Sequence, residues 1–237
     1  MVIPTNRGYS WYHSLQLRSE RRFANGFSAL VSYTWSKTMQ ATELLNAADP
    51  LPYRVISDRD RTHALSFSSI WELPFGEGRR FLSAGFPVVR QLFGGWQVGT
   101  IWLAMSGTPL GFGNAIFVGN LKDIPLPESQ RTYDRAFNTD AGFERVPGKA
   151  LASNLRTFPI RFSGIRSDGF TSWDFSLIKQ VPVSERIKIQ LRGEFLNAFN
   201  HPNFRPSNTT PTSSAFGRVA GDYTFPRQIQ LGLKLLF

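Results

Sequence analysis

Apolar and polar residues alternate with a period of two along several unusually long stretches of the chain. Between residues 27 and 36, one set of alternate positions is wholly apolar and the other is almost wholly polar: the apolar set is Phe27, Ala29, Val31, Tyr33 and Trp35. Residues 228–237 repeat this alternation. Because successive side chains of a β-strand point to opposite faces, the pattern predicts strands with one apolar face.

Seven such strands are predicted, joined by connections that alternate in length. The predicted strands cover about residues 9–23, 27–36, 63–75, 97–105, 171–181, 187–199 and 228–237. Tight turns are expected at Asn25-Gly26 and at residues 182–185. The long loops cover about residues 37–62, 106–170 and 200–225. We therefore predict an all-β fold, an antiparallel up-and-down meander of about seven long strands whose long loops leave from one end.

Alternation alone does not reveal what the apolar face contacts. It points into the core of a soluble sandwich but toward lipid in a membrane barrel. The segment 27–36 is as long as the roughly 9–11 residues of a tilted membrane strand, whereas soluble strands usually have about 5–6. Aromatic residues also mark strand ends, as in the two interfacial girdles of a barrel. The membrane-interface candidates are Trp11, Phe23, Phe27, Trp35, Trp96, Trp102, Phe225 and Phe237. Length and aromatics favour a transmembrane β-barrel.

The polar faces of such a barrel line its lumen, where they meet water or another protein segment. The lumen-facing candidates are Arg18, Glu20, Lys188, Gln190, Arg192 and Glu194. The same residues fit the solvated outer face of a soluble sandwich, and a period of two does not separate these interpretations.

The amino-acid composition limits the kinds of functional site that the chain can form. The 237 residues include no cysteine and three histidines that are far apart, so no thiol catalysis, disulfide framework or metal site is predicted. No apolar run approaches the roughly 20 residues of a membrane helix. The formal net charge is +10, but the arginines are dispersed and no nucleic-acid-binding motif is present, so no nucleic-acid partner is expected. We find no catalytic motif, and we predict neither an enzyme nor a cofactor.

Four segments resemble consecutive blocks of the Oar-like TonB-dependent outer-membrane receptors, a carboxypeptidase-regulatory-like-domain group. They are YHSLQLRSERRFANGFSALVSYTWSK, DRTHALSFSSIWELPFG, GGWQVGTIWLAMSGTPL and WDFSLIKQVPVSERIKIQLRGEFLNAFNHPNF. The string NAFNHPNF, residues 197–204, is the most specific. The resemblance extends from about Tyr9 to Phe237, although the loop 106–170 matches only loosely.

The resemblance implies a bacterial outer-membrane protein that takes up a solute by active transport. Receptors of this kind have about twenty-two strands, an internal plug and a TonB-contacting segment, which do not fit in 237 residues. Residues 1–237 are therefore expected to be the C-terminal barrel portion, incomplete on its own and lacking plug and TonB box. A passive porin-like or adhesin barrel piece and a soluble carbohydrate-binding β-sandwich are the alternatives.

The resemblance also implies partners. These are outer-membrane lipid and lipopolysaccharide, the barrel-assembly machinery, the remainder of the receptor (plug and upstream strands), and TonB only through upstream parts. The end of the chain resembles the signal that the assembly machinery recognises, and the candidate residues are Gly232, Leu233, Leu235 and Phe237.

Overall fold

A computed structural model of the chain describes residues 6–76, 78–82, 86–149, 154–184 and 186–237. Within these ranges the regular structure consists of ten strands, one short α-helix and three single-turn 3₁₀ helices. The strands are β1 (Tyr9–Ala24), β2 (Phe27–Ala41), β3 (Val55–Ile56), β4 (His63–Glu72), β5 (Trp96–Met105), β6 (Pro109–Leu110), β7 (Phe162–Arg166), β8 (Phe170–Pro182), β9 (Lys188–Leu196) and β10 (Gln228–Leu236). The helix α1 is Pro87–Phe93, and the 3₁₀ helices are Leu121–Asp123, Glu128–Gln130 and Pro147–Lys149.

The seven long strands form one antiparallel meander in the order β1-β2-β4-β5-β8-β9-β10. The predicted fold class is confirmed. Two-residue β3 pairs with β2, and β6 pairs with β7 in a separate two-stranded sheet. The sheet is not closed, because β1 and β10 form its two edges. The three long connections leave from one end of the sheet and the shorter ones from the other.

Several strand limits differ from the predicted ones. β2 continues to Ala41, so the first long loop begins later than residue 37. β4 ends at Glu72, just before Pro74, which cannot donate a ladder hydrogen bond. β9 ends at Leu196, because Asn197 turns the chain with a φ of 48°. The helix α1, in the connection between β4 and β5, was not predicted.

The hairpin between β1 and β2 has the predicted turn. Asn25 and Gly26 have φ values of 54° and 78°, which a two-residue type I′ turn requires. The β1–β2 register shifts between Arg21 and Ala24, which places a bulge just before this turn. Beyond the bulge, even and odd positions of β1 exchange faces.

The register gathers the apolar positions on one face of the sheet. Across one row, Val31 pairs with Phe67, Phe67 with Trp102, and Trp102 with Trp173. The indole rings of Trp102 and Trp173 stack with centroids 4.7 Å apart. Among the described residues no second sheet covers this face, and Leu233 on it is 69% exposed.

The closely packed core lies in the long loops. One cluster joins buried side chains of the loop 106–169 with Phe216 from the loop 197–227: its members are Leu110, Phe112, Ile124, Phe137, Phe143, Phe158, Ile165 and Phe216. A smaller cluster contains Val55, Ile56 and Ile160. The loops therefore form a folded layer over one end of the sheet. No helix in the described ranges is both long and apolar enough to span a membrane.

Candidate functional site: the concave face and the loop layer

The polar face of the sheet is concave and lines an open cavity of about 660 Å³. Residues of β1, β2, β4, β5, β8 and β9 line this cavity. Since β1 and β9 are far apart in the strand order, they reach one cavity only because the sheet curves around it. The charged residues of the lining include Glu20, Arg22, Asp174, Arg192 and Glu194. Arg21 also borders the cavity, although it pairs with Ala29 on the apolar face and its guanidinium lies over the Phe27 ring.

Two ion pairs neutralise part of this charge. Arg192 Nη2 lies 2.5 Å from Glu194 Oε1, and Arg18 Nη2 lies 2.9 Å from Glu20 Oε2. Each pair joins residues two positions apart in a strand, which share a face. All four side chains are at least partly exposed, so the pairs hold little folding free energy.

The six predicted lumen residues are only partly brought together. Glu20, Arg192 and Glu194 line the cavity, whereas Arg18, Lys188 and Gln190 do not. Lys188 and Gln190 pair with β10 at the short-turn end of β9, on the same face as Arg192. Their role as lumen residues stays a prediction.

Asp174 of β8 was missing from the predicted set, although it lines the cavity. Its Oδ1 accepts a hydrogen bond from the Asn197 backbone N–H at 2.8 Å and one from Ser172 Oγ at 3.3 Å. The alternation of Ser172, Asp174 and Ser176 along the strand was the signal that could have revealed it.

Aliphatic side chains interrupt the polar face. Leu30, Ile70, Ile101 and Leu196 line the same cavity as the charged residues. Ile101 is 49% exposed and pairs in register with Ser68 on one side and Asp174 on the other. The concave face is therefore a mixed surface rather than a uniformly polar channel wall.

The predicted aromatic residues lie in different settings. Phe27 and Trp35 of β2 are on the apolar face, opposite Trp71 and His63 in the register. Trp11 in β1 pairs with Met39. Trp96 begins β5, and Trp102 lies within it. Phe225 precedes β10, and Phe237 follows it, both highly exposed.

Phe23 does not fit the predicted membrane interface, because the bulge in β1 places it on the face opposite to that of Trp11. After the register shift, Ala24 is opposite Phe27, and Phe23 lines the concave cavity.

The predicted assembly-signal residues belong to the exposed edge of the sheet. Leu233 and Leu235 of β10 pair with Leu191 and Ile189 on the apolar face, whereas Gly232 pairs with Arg192. This arrangement leaves the backbone of β10 open on one side. Recognition by the assembly machinery stays a prediction.

A buried ion pair anchors the loop layer to the sheet. Asp60 is fully buried, and its Oδ2 lies 2.6 Å from Arg166 Nη2. Asp60 Oδ1 accepts a hydrogen bond from the Thr38 backbone N–H at 2.6 Å, and Arg166 also donates to the Gly107 carbonyl at 2.9 Å. The Asp60 carboxylate thus connects β2 to β7, and Arg166 connects β7 to the start of the longest loop.

The string 197–204 forms a second anchor. Asn197 Nδ2 donates to the carbonyls of His201 and Phe225, and its Oδ1 accepts from the His201 N–H. The buried Asn203 side chain accepts from the Thr171 N–H at 2.7 Å and donates to the Thr171 carbonyl at 2.9 Å. The most specific string of the resemblance therefore fixes a loop against β8.

The loop layer also contains an open cavity of about 820 Å³ between the loops 106–169 and 197–227. Its lining includes Arg131, Tyr133, Asp168, His201 and Phe204. A mixture of aromatic, basic and acidic side chains suits a polar solute with apolar parts. Within the described ranges, no group of three or more acidic or histidine side chains is placed to hold a metal ion.

Two charged groups in the loop layer have pKa values that differ from their ordinary values. The pKa of Glu144 is lowered, because the Val146 backbone N–H and then Lys149 hydrogen-bond to its carboxylate. The pKa of Arg156 is lowered because the guanidinium is partly removed from water. It donates to the carbonyls of Phe158 and Pro159.

Comparison with known proteins gives one finding. The family described as "Outer membrane beta barrel domain" has a model that matches residues 2–230. No curated protein and no solved structure matches the chain.

Proposed function

The chain belongs to the outer membrane β-barrel domain family, and on this premise we propose that it forms part of the barrel wall of an Oar-like TonB-dependent receptor. The family places the chain in the bacterial outer membrane. There the apolar face of the sheet lies against lipid, and the concave face lies inside the barrel. Strands from the rest of the receptor would pair with the open edges β1 and β10, because backbone groups in a membrane need hydrogen-bond partners.

The mixed concave face is the observation that carries the receptor proposal. Exposed aliphatic residues such as Ile101, beside charged residues such as Asp174, are suited to contact with a folded protein segment. In a receptor that segment is the plug. A passive channel would instead keep its lumen wall in water, where exposed aliphatic side chains are unfavourable.

Transport in this proposal involves no covalent chemistry. Short turns of membrane barrels face the periplasm and long loops face outward, so the loop layer forms the outer vestibule. The solute first meets the cavity that Tyr133 and His201 help to line. Force delivered through TonB then displaces the plug from the concave face and opens the path.

Cysteine labelling in intact outer membranes tests the plug, because the chain has no cysteine of its own. A polar maleimide should label Leu155→Cys, in an exposed stretch of the loop layer, rapidly. Ile101→Cys should react far more slowly, because the plug covers it. Val98→Cys, which pairs with Trp71 and Leu177 on the opposite face, should also react slowly, because lipid covers it.

All three cysteines should react alike after unfolding in guanidinium, which controls for intrinsic reactivity. If Ile101→Cys reacts as fast as Leu155→Cys in the membrane while Val98→Cys stays protected, the lumen is open. That result would overturn the receptor proposal and support a passive barrel.

A further inference from the structure

We propose that the short-turn end of the apolar face binds the phosphate headgroups of anionic phospholipids in the periplasmic leaflet, with α1 lying in the membrane interface. The orientation used here rests on the proposed function. The proposal draws on three observations at this end of the sheet: a docked helix, its exposed apolar side chains, and arginines placed over aromatic rings.

Lys179 attaches α1 to the apolar side of the sheet. The register places Lys179 beside Trp96 and Leu191 on the apolar face, yet it is only 7% exposed. Its Nζ donates to the carbonyls of Gln91, Leu92 and Gly94 at 2.7, 2.9 and 2.8 Å. All three N–H donors of the ammonium group are thereby used, at the helix end where the dipole favours a cation.

Trp96 completes this attachment. Its ring lies 4.8 Å from Lys179 Nζ, and its Nε1 donates to the Leu92 carbonyl at 3.0 Å. A lysine in the apolar band would otherwise be costly in lipid. Here its charge is satisfied entirely by protein groups.

The helix exposes apolar side chains that continue the apolar face of the sheet. Phe86 is 80% exposed and Val88 is 72% exposed, and Leu92 and Phe93 are also exposed. A short segment with this composition at a membrane boundary places its apolar side chains between the lipid chains and its backbone near the headgroups. Continuity with the lipid-facing side of an outer-membrane sheet identifies the occupant as lipid.

Two arginines at this end of the sheet supply positive charge that complements the anionic headgroups. Arg21 Cζ lies 5.3 Å from the centre of the Phe27 ring, and Arg80 Cζ lies 5.4 Å from the centre of the Phe81 ring. Neither arginine forms an ion pair with a carboxylate in the described residues. A guanidinium stacked on an aromatic ring keeps its N–H fork available for a phosphate.

The test uses the protein extracted from outer membranes with its surrounding lipid in polymer-bounded discs. Retained phosphatidylglycerol and phosphatidylethanolamine are then quantified by mass spectrometry. We expect phosphatidylglycerol to be enriched over the bulk membrane. Arg21→Gln and Arg80→Gln should each lower its relative binding by about fivefold, the effect of about 1 kcal/mol per arginine.

Arg145→Gln is the matched control, because Arg145 lies over the Phe216 ring in the loop layer with a comparable separation of 5.7 Å. It should leave the retained lipid unchanged. A further variant, Val88→Ser with Leu92→Ser, should reduce total retained phospholipid while leaving the protein in the membrane.

A phosphatidylglycerol fraction in the discs equal to that of the bulk membrane, or an equal loss in Arg145→Gln, would overturn this inference. Failure of the proposed function gives a different result. A passive barrel still shows the lipid preference but labels Ile101→Cys rapidly, whereas a receptor without the lipid site keeps that cysteine protected and shows no preference.

Discussion

The sheet and the loop layer obtain their stability from different sources. The loops bury aromatic rings against one another, with Phe112 contacting Phe137 and Phe143 at centroid distances of 4.9 Å, and they enclose an ion pair. The sheet leaves Leu233 and other large side chains exposed. A region that builds its own core can hold its shape in water, whereas the sheet depends on lipid, on the lumen contents and on further strands.

The largest expected effect is a core truncation in the loops. Phe112→Ala should lower the local free energy of unfolding of the loop layer by about 4 kcal/mol, because it leaves a cavity among packed rings. Leu233→Ala, on the exposed apolar face, should cost about half as much, because lipid fills the space and only the transfer of the lost carbon atoms from water remains. Hydrogen exchange of loop and sheet peptides measures both values, and equal costs would remove the distinction between the two regions.

Removal of the buried carboxylate comes next. Asp60→Ala should destabilise the attachment of the loop layer by about 3 kcal/mol, because Arg166 is left without its partner. The control Asp140→Ala breaks an exposed pair with Arg135 and should cost less than about 0.5 kcal/mol. Limited proteolysis in the loop 106–169 reports the difference. Unchanged cleavage in Asp60→Ala would show that the ion pair does not hold the layer.

The amide anchor at β8 should have a smaller effect. Asn203→Ala should cost about 2 kcal/mol, because it leaves the Thr171 backbone groups without their partner. We expect faster hydrogen exchange of the Thr171 amide and little change in the hydrogen exchange of β4. Asn114→Ala serves as the control, since it removes an exposed bond to Asn154. If the Thr171 amide exchanges at comparable rates in the two variants, Asn203 does not anchor the loop to β8.

The smallest expected effect is a pH dependence in the loop layer. The folded pKa of Glu144 is lowered by its bonds to Val146 and Lys149. Its contribution to local stability is therefore complete above the ordinary carboxyl pKa, and it is lost as pH falls through the depressed folded value. Hydrogen exchange of the Val146 amide should therefore become faster as the pH falls below the ordinary carboxyl pKa toward the folded pKa of Glu144. Glu144→Gln should abolish this pH dependence, and its persistence would point to another group.

The sheet could be predicted because a short stretch of sequence is enough to show the alternation that indicates a strand. The alternation in residues 27–36 and the Asn25-Gly26 turn identify a strand and a hairpin without knowledge of distant residues. The bulge before that turn adds one residue that no residue pattern in the sequence reveals, and so the face of Phe23 was predicted incorrectly. Periodicity also could not show the curvature that brings Glu20 and Glu194 to one cavity.

The loop layer was not predictable in the same way. Its phenylalanines have no regular spacing, and Phe216 meets Phe137 across a long separation in sequence. Asp60 likewise pairs with Arg166, which is remote in the sequence. Such contacts depend on the closure of long loops, for which local residue patterns contain little information.

The most direct test of the account is the orientation of the sheet in the membrane. Spin labels attached at Val31→Cys and at the adjacent Ser32→Cys in membrane-embedded protein report access to oxygen, which concentrates in lipid, and to a nickel chelate, which stays in water. We expect high oxygen access at Val31 and low oxygen access at Ser32. Oxygen access that is higher at Ser32 than at Val31 would contradict it.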